Sequence, residues 1–254
     1  FSNVTSRFAG FTAFRTSFDD AWENQIKVKV HQIVHTRPGD KFSIIEYRIV
    51  NQSGSPISDL FALSSADFDI GSATNNVGGF DSTLSLTYLN ESGGSNNPYY
   101  YGFQLLSHPV AGHVIWTGGD APYVRSTTNL TTRSSSAGTP GDYRNQLNAG
   151  PFNIAANETL TVAFAYLGGD NLNALKQSAQ TAYTIYRPSR IVPEIEPNND
   201  STYAQALTLG DTVAASIGTL GDVDYYKFYA TAGDTIEITA DTALGSGLLG
   251  YFAV

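Results

Sequence analysis

Hydrophobic and polar positions alternate along most of the chain and predict short β-strands. Ile26, Val28 and Val30 alternate with polar residues, and the same two-residue period recurs at 45–49, 84–88, 99–105 and 160–166. Such runs are rich in β-branched and aromatic residues and end in clusters of Asn, Gly, Ser and Asp, which is typical of antiparallel sandwiches and barrels. The length and spacing of the strands favour an all-β chain built of β-sandwiches.

One segment departs from this period and predicts an α-helix at about residues 170–186. Its apolar side chains recur every three or four residues, as on one face of a helix. They are Leu172, Leu175, Ala179, Ala182, Tyr183 and Tyr186. We expect Asp170 to cap the helix, because its carboxylate can accept hydrogen bonds from the free N–H groups of the first turn. Pro188 should end the element.

A proline-rich stretch at 187–200 predicts the boundary between two domains. Prolines favour an extended, semi-rigid connection, and strand-like runs return after it at 213–217, 225–230 and 235–240. We place the domains at 1–190 and 191–254. The 125–150 stretch is rich in Ser, Thr, Gly and Asn and is interpreted as a long loop.

The charge balance narrows the possible partners. The 254 residues include 14 Lys and Arg, 23 Asp and Glu and no Cys, for a net charge of −9. An acidic chain lacks the basic surface that nucleic acid requires, and no run of apolar residues is long enough to predict membrane insertion. Without Cys there is no disulfide framework or thiolate site. Acidic chains do suit hard cations such as Ca²⁺.

Local signatures of catalysis are missing from the sequence. His31 and His35 lie on a predicted strand, roughly 13 Å apart at 3.3 Å per residue, which is too far for one zinc ion. We therefore interpret the histidines as surface or loop residues. The GxSxG and SxxK signatures of serine nucleophiles are absent. The sequence thus predicts that the chain is not an enzyme.

The richest group of oxygen ligands in the first domain lies between residues 67 and 81. Asp67 and Asp69 point to the same side of a predicted strand end, and a loop of Gly and Asn leads from them to Asp81. Ca²⁺ binds six to eight such oxygens, so this is a candidate calcium site. An Asx-rich turn that caps its own backbone explains the same residues equally.

An aromatic run offers a candidate platform for carbohydrate. It comprises Tyr99, Tyr100 and Tyr101, with Trp116 further along the chain. Alternation along a strand puts Tyr99 and Tyr101 on one face and Tyr100 on the other. At least one of these faces is expected to belong to the core.

Three motifs identify a family resemblance in the second domain. They are Glu-Pro-Asn-Asn-Asp at 196–200, Gly-Asp-Val-Asp-Tyr-Tyr-Lys-Phe at 221–228 and Gly-Asp-Thr-Ile-Glu-Ile at 233–238. In these residues the chain resembles the bacterial pre-peptidase C-terminal domain, a small jelly-roll-like β-sandwich appended to secreted peptidases. The resemblance stops inside that domain and implies further strands. We expect the apolar run at 247–254 to be covered by the remainder of a parent polypeptide or by another copy of the chain.

The first domain is similar to a β-sandwich module of secreted subtilase-type and cell-surface bacterial proteins. The similarity rests on Ile-Glu-Tyr-Arg-Ile-Val-Asn at 45–51, Asp-Phe-Asp-Ile-Gly at 67–71 and Tyr-Gly-Phe-Gln-Leu-Leu at 101–106. It implies a secreted or cell-surface location.

The first resemblance also implies a second calcium site. In calcium-binding members, acidic and amide residues of the linker meet Asp residues of the loop before the Tyr-Tyr strand. The matching positions are Glu196, Asn199, Asp200, Asp222 and Asp224, with Glu194 able to replace Glu196. Oxygen side chains that converge without a cation repel one another. A solvated acidic turn is the alternative.

Together these observations favour an extracellular segment that serves adhesion, spacing or substrate targeting and is stabilised by Ca²⁺. Its expected partners are the parent polypeptide, further copies of the chain, an extracellular protein or a polysaccharide. The alternatives are a subunit of an extracellular fibre or sheath and an appendage fragment of a secreted serine peptidase.

Overall fold

Antiparallel pairing dominates the computed structural model, which describes residues 1–21, 25–94, 97–117, 130–134, 137–187, 190–207, 211–216, 218 and 222–229. The chain divides into two compact units, Phe1–Ser189 and Arg190–Val254. The predicted strand at 235–240 and the apolar run at 247–254 lie outside the described residues.

The first unit contains thirteen strands and one α-helix in its described part. In chain order these are β1 (Ser2–Val4), β2 (Thr12–Asp19), β3 (Val28–Thr36), β4 (Phe42–Asn51), β5 (Ile57–Asp67), β6 (Asn76–Asp81), β7 (Leu86–Glu91), β8 (Tyr100–Leu105), β9 (Val110–Thr117), β10 (Arg133–Ser134), β11 (Ala137–Gly141), β12 (Tyr143–Ile154), β13 (Thr159–Gly169) and α1 (Leu172–Tyr186). Single 3₁₀ turns lie at Ala73–Asn75 and Ser92–Gly94.

These strands form two sheets. The larger has nine strands in the order β1-β2-β3-β4-β13-β8-β7-β6-β11, all antiparallel. The smaller has the order β10-β9-β12-β5, in which only β10 runs parallel to its neighbour. The predicted all-β class is confirmed. That both domains are jelly-roll-like sandwiches stays a prediction.

Strand β13 lies near the middle of the large sheet and borders two hydrophobic cores. On one face, Val162 and Phe164 pack in a core shared with Leu147 of β12 in the small sheet. On the other face, Ala163 and Ala165 pack beneath α1. The helix contributes Leu175, Ala179 and Ala182 to this second core. Because both faces of β13 are covered, its sequence is a nearly continuous apolar run.

The predicted helix is present, but its predicted cap is wrong. The helix begins at Leu172, and the side chain of Asn171 accepts a hydrogen bond from the N–H of Ala174 at 2.9 Å. Asp170 lies one residue too early to cap this turn and pairs with Lys41 instead.

The interpretation of 125–150 as a long loop is wrong where the structure describes it, because β11 and most of β12 lie there. Strand β12 pairs with both β5 and β9. Its polar side chains Asn145, Gln146 and Asn148 are fully buried, which obscures the alternation by which a strand is recognised. Asn148 Nδ2 donates to the carbonyl of Leu130 at 3.2 Å, and Gln146 Nε2 donates to Asn148 Oδ1 at 2.8 Å.

The second unit is described in part and contains four short strands. They are β14 (Arg190–Pro193), β15 (Gln205–Ala206), β16 (Asp211–Ala214) and β17 (Tyr226–Lys227). Strand β14 pairs with β16 and β15 pairs with β17, both in parallel. Across the described ranges of both units, no helix has the length and apolar character needed to cross a membrane.

Gly169 tests how tightly α1 packs on the large sheet. A Cβ atom at this position would lie 2.4 Å from the backbone nitrogen of Leu175. Gly169→Ala should therefore displace the first turn of α1 and lower the free energy of unfolding by roughly 1–3 kcal/mol. The control is Gly138→Ala, since nothing lies within 4 Å of a Cβ there. It should change stability by less than about 0.5 kcal/mol. Urea denaturation of both variants measures the difference, and equal effects would contradict the packing described.

Candidate functional site

Three carboxylates converge in the second unit. Glu194, Glu196 and Asp224 each place one oxygen within 4.8 Å of the other two. The first two follow β14, and Asp224 lies just before β17. The N–H of Tyr225 donates to the carbonyl of Asn198 at 2.9 Å, which holds these two segments side by side. We call Glu194, Glu196, Asn198 and Asp224 the linker cluster.

Two buried side-chain oxygens of the linker cluster lack a hydrogen bond of normal geometry to any described residue. Asn198 is 0% exposed, and its amide adjoins the carboxylate of Glu194. Neither Asn198 Oδ1 nor Asp224 Oδ1 has a hydrogen bond of normal geometry within the described part of the chain. A buried polar atom left in this way costs about 1–3 kcal/mol. Two such oxygens beside two further carboxylates fit a hard cation, since Ca²⁺ takes six to eight oxygen ligands.

The carboxylates of the linker cluster also disturb each other's ionisation. Burial, together with the charge and hydrogen bond of Glu194, raises the pKa of Asp224 to about 6. Burial also acts to raise the pKa of Glu194. Hydrogen bonds from Ser216 N–H at 2.9 Å and from the Tyr226 hydroxyl at 3.1 Å nevertheless leave the pKa of Glu194 below its ordinary value. Such mutual repulsion is what a divalent cation relieves.

The structure brings together only part of the predicted linker site. Glu196 and Asp224 converge as expected, and Glu194 joins them rather than replacing Glu196. Asn199 is exposed, whereas its neighbour Asn198 is the buried amide. The sequence carries no signal that separates these adjacent asparagines, because their difference arises from the pairing of Asn198 with the segment before β17.

The other two aspartates predicted for this site hold turns in place. Asp200 Oδ1 accepts hydrogen bonds from the N–H groups of Thr202 at 2.7 Å and Tyr203 at 3.2 Å. Asp222 Oδ2 accepts from the N–H of Gly218 at 2.7 Å. Neither belongs to the group of three converging carboxylates.

A second acidic group lies in the first unit and already includes a positive charge. Oxygens of Asp67, Asp69 and Asp142 lie within 4.8 Å of one another. Arg144 places Nη2 2.7 Å from Asp67 Oδ2 and Nη1 3.4 Å from Asp142 Oδ1. The guanidinium offsets two of the three carboxylates, so this group has less need of a cation than the linker cluster. Sequence reasoning missed Asp142, because it depends on the pairing of β5 with β12.

Asp81 was predicted to complete that first site and does not belong to the group. Its carboxylate accepts from the N–H groups of Thr83 at 3.0 Å and Leu84 at 3.2 Å, and it pairs with Lys176 at 2.7 Å. Burial acts to raise the pKa of Asp81, but Lys176 and the hydrogen bonds together lower it. Asp81 therefore fits the alternative interpretation, in which an Asx-rich turn caps its own backbone.

The expectation that the histidines lie at the surface or in loops is wrong for His113, which is buried on β9, and for His35. This side chain is 2% exposed and lies between Ser6 and Glu46. Ser6 Oγ is 2.8 Å from His35 Nδ1, and His35 Nε2 is 3.3 Å from Glu46 Oε2. Arg7 Nε donates to Glu46 Oε1 at 2.8 Å. We call Ser6, Arg7, His35 and Glu46 the Glu46 network.

The Glu46 network has the residue types of a serine nucleophile, base and acid, but Ser6 is half-buried and already hydrogen-bonded to His35. Ser6 Oγ also accepts a hydrogen bond from the N–H of Phe8 at 3.1 Å. The ring of Phe8 stands edge-on to His35, with centroids 4.7 Å apart. The Glu46 network connects the N-terminal segment to the large sheet and compensates the buried carboxylate of Glu46. A nucleophile requires an approach for substrate as well as a base.

The proposed aromatic platform is partly formed. Tyr99 and Tyr101 are 44% and 38% exposed, while Tyr100 packs against the core beneath α1. Trp116 is only 6% exposed and does not share their surface. Both exposed tyrosines border a cleft that also includes Lys41 and Asp170.

No protein-family model and no curated protein matches the sequence. Several solved structures are similar at low identity. A protein from Klebsiella pneumoniae described as an aldose 1-epimerase has a TM-score of 0.41 and 8% identity over 69% of this chain and 55% of its own. The alpha-galactosidase from Lactobacillus brevis has a TM-score of 0.37 and 11% identity over 80% of this chain and 32% of its own. An Escherichia coli protein described as an aldose 1-epimerase has a TM-score of 0.34 and 9% identity over 65% of this chain and 67% of its own.

These names contradict the prediction that the chain is not an enzyme, because the similar structures are described as enzymes. The prediction relied on missing local motifs, whereas an active site assembles residues that are distant in sequence. The chain spans about half of the first structure and a third of the second. With every TM-score below 0.5, the likeness assigns no activity to this chain.

The Glu46 network makes stability depend on pH. Burial acts to raise the pKa of Glu46, but the hydrogen bonds and charges of His35 and Arg7 lower it from 4.5 to about 2. A folded-state pKa below the unfolded value stabilises the fold above about pH 4.5, and this contribution is lost as the pH falls towards 2. We expect wild type to lose up to about 3 kcal/mol over this window through Glu46 alone.

The measurement is the free energy of unfolding at several pH values between 6 and 2. Glu46→Gln should be less stable than wild type at pH 6 and should show a shallower fall on acidification. Asp59→Asn, which alters an exposed carboxylate on β5, should leave the slope unchanged. Parallel curves for wild type and Glu46→Gln would contradict the compensation described.

Proposed function

We propose that this chain is an extracellular segment of a larger secreted or surface protein, in which Ca²⁺ stabilises the second unit. Its role is adhesion, spacing or targeting of the parent protein. The observation that supports the proposal is the linker cluster, where three carboxylates meet beside the fully buried amide of Asn198. Calcium at extracellular concentrations occupies sites with a Kd of about 10⁻⁴–10⁻³ M.

A cation at the linker cluster would stabilise the contact between the linker and the segment before β17. The strands β15 and β17 are two residues long, so few backbone hydrogen bonds join the linker to the segment before β17. An ion bound by Glu194 and Glu196 on one side and Asp224 on the other adds a strong cross-link between them. Binding to the folded form alone stabilises it by mass action.

The same proposal includes the finer assignments of the two domains. Residues 191–254 form a domain of the pre-peptidase C-terminal class, and residues 1–190 form the preceding sandwich module. The alternatives, a fibre or sheath subunit and an appendage of a secreted serine peptidase, differ in what covers residues 247–254. Those residues lie outside the described part of the chain.

Calcium should raise the melting temperature of the chain through the linker cluster. With a Kd of about 10⁻⁴ M, 1 mM Ca²⁺ is about a tenfold excess and stabilises the folded form by about 1.4 kcal/mol. Asp224→Asn should abolish the difference between melting in EDTA and in millimolar Ca²⁺, because it removes a charged ligand with a buried oxygen. Differential scanning calorimetry or fluorimetry measures the shift.

Asp200→Asn is the matched control. It makes the same chemical change in the same linker, but Asp200 caps a turn. This variant keeps an acceptor oxygen for the turn, so it should melt close to wild type and still gain the full calcium shift. Identical melting in EDTA and Ca²⁺, or equal losses of the shift in both variants, would refute the linker site.

The extracellular part of the proposal is tested by location. Antibodies raised against this chain should detect the parent polypeptide in the culture medium or on the surface of intact cells. Protease added to intact cells should remove the surface signal. Detection only after lysis would refute the proposed location.

A further inference from the structure

A cleft in the first unit lies beside exposed tyrosine rings and shares no residue with the linker cluster. Two hollows of about 340 Å³ each share Lys41, Tyr101 and Gly168 as lining residues. Tyr99 and Asp170 line one hollow, whereas Phe68 and Tyr166 line the other. Both hollows are open to solvent, so a ligand bound there keeps one side exposed. We call this the tyrosine cleft.

The glycine opposite Tyr101 lets the tyrosine ring lie against the strand backbone. In the pairing of β8 with β13, Tyr101 lies opposite Gly168 and Tyr100 opposite Gly169. A Cβ on Gly168 would lie 3.5 Å from Cε1 of Tyr101, so the ring lies directly over the glycine backbone. The centroids of Phe68 and Tyr101 are 6.3 Å apart with an interplanar angle of 36°, which supports the ring from one side. Tyr101 is thus held in place while 38% of it remains exposed.

Charged groups of both signs lie beside the tyrosine rings. The ammonium of Lys41 pairs with the carboxylate of Asp170, and about half of each side chain is exposed. Lys41 can only donate hydrogen bonds and an ionised Asp170 can only accept them. Asp40, which also lines the cleft, is neutralised by two hydrogen bonds from Arg37 at 2.9 and 3.1 Å. The cleft therefore combines aromatic faces with a balanced donor and acceptor pair.

We propose that the tyrosine cleft binds a neutral hexose unit of an oligosaccharide or polysaccharide. The apolar C–H face of a pyranose stacks on a tyrosine ring, while its hydroxyls donate and accept hydrogen bonds at the same time. A phosphorylated or sulfated ligand is disfavoured, because the pair in the cleft carries no net charge and the chain as a whole carries −9. The rigid tyrosine rings lose little conformational freedom on binding.

This site goes beyond the calcium-stabilised role proposed above and is tested independently of it. The full chain is run through native gels that contain neutral β-1,4-glucan, β-1,3-glucan, mannan or galactan, with dextran sulfate as the anionic comparison. At least one neutral polysaccharide should retard wild type, and dextran sulfate should not. Retardation should persist in EDTA and in Asp224→Asn, so failure of the calcium site leaves this result intact.

Two variants place the ligand on the rings. Tyr101→Ala should weaken binding about tenfold or more and Tyr99→Ala several-fold, because each removes a stacking face. Tyr101→Phe keeps the ring and should bind within about twofold of wild type. Tyr203→Ala, which removes a 62% exposed tyrosine from the second unit, is the control and should bind normally. Melting temperatures of all variants are measured alongside; Tyr99→Ala provides the test if Tyr101→Ala fails to fold.

Four results would overturn the proposal. The first is no retardation by any neutral polysaccharide, and the second is retardation by dextran sulfate alone. The third is binding that Tyr99→Ala leaves unchanged in a folded chain. A loss of binding in EDTA would assign the ligand to a cation site and would also overturn it.

Discussion

The first unit depends on the burial of β13 from both sides. Val162 and Phe164 contribute to the core shared with the small sheet, and Ala163 and Ala165 to the core beneath α1. A helix can lie this close only because the residues beneath it are small and because Gly169 leaves room for the backbone at Leu175. The large sheet therefore borders both hydrophobic cores, one on each face.

A buried carboxylate joins the N-terminal segment to the large sheet. Glu46 lies on β4, next to β13, and is compensated by Arg7 and His35. Arg7 also lies over the ring of Tyr186, 4.7 Å from its centroid, at the end of α1. One charged group thus links the N-terminal segment, the large sheet and the helix. Removing one partner from such a network leaves a buried charge, which costs more than the pair itself contributes.

Both candidate binding regions form where regular pairing ends. The tyrosine cleft lies at the last residues of β13, where glycines replace side chains across from Tyr100 and Tyr101. The linker cluster lies just after β14 and just before β17, where the backbone of Asn198 joins the segment before β17. At these places side chains can face a ligand because they are not needed to fill the core. Rigid strands nearby still hold them in position.

The sequence alone determined the all-β class, the helix at about 170–186 and the acidic character of the linker, because these follow from local periodicity and composition. The burial of Asn145, Gln146 and Asn148 in β12 was decided by tertiary packing, so a polar segment was interpreted as a loop. The same holds for Asp142 beside Asp67, His35 beside Glu46, and Asn198 in place of Asn199. Each depends on a neighbour that is distant in sequence. Alternation reports which face a side chain occupies, whereas strand pairing decides what it meets there.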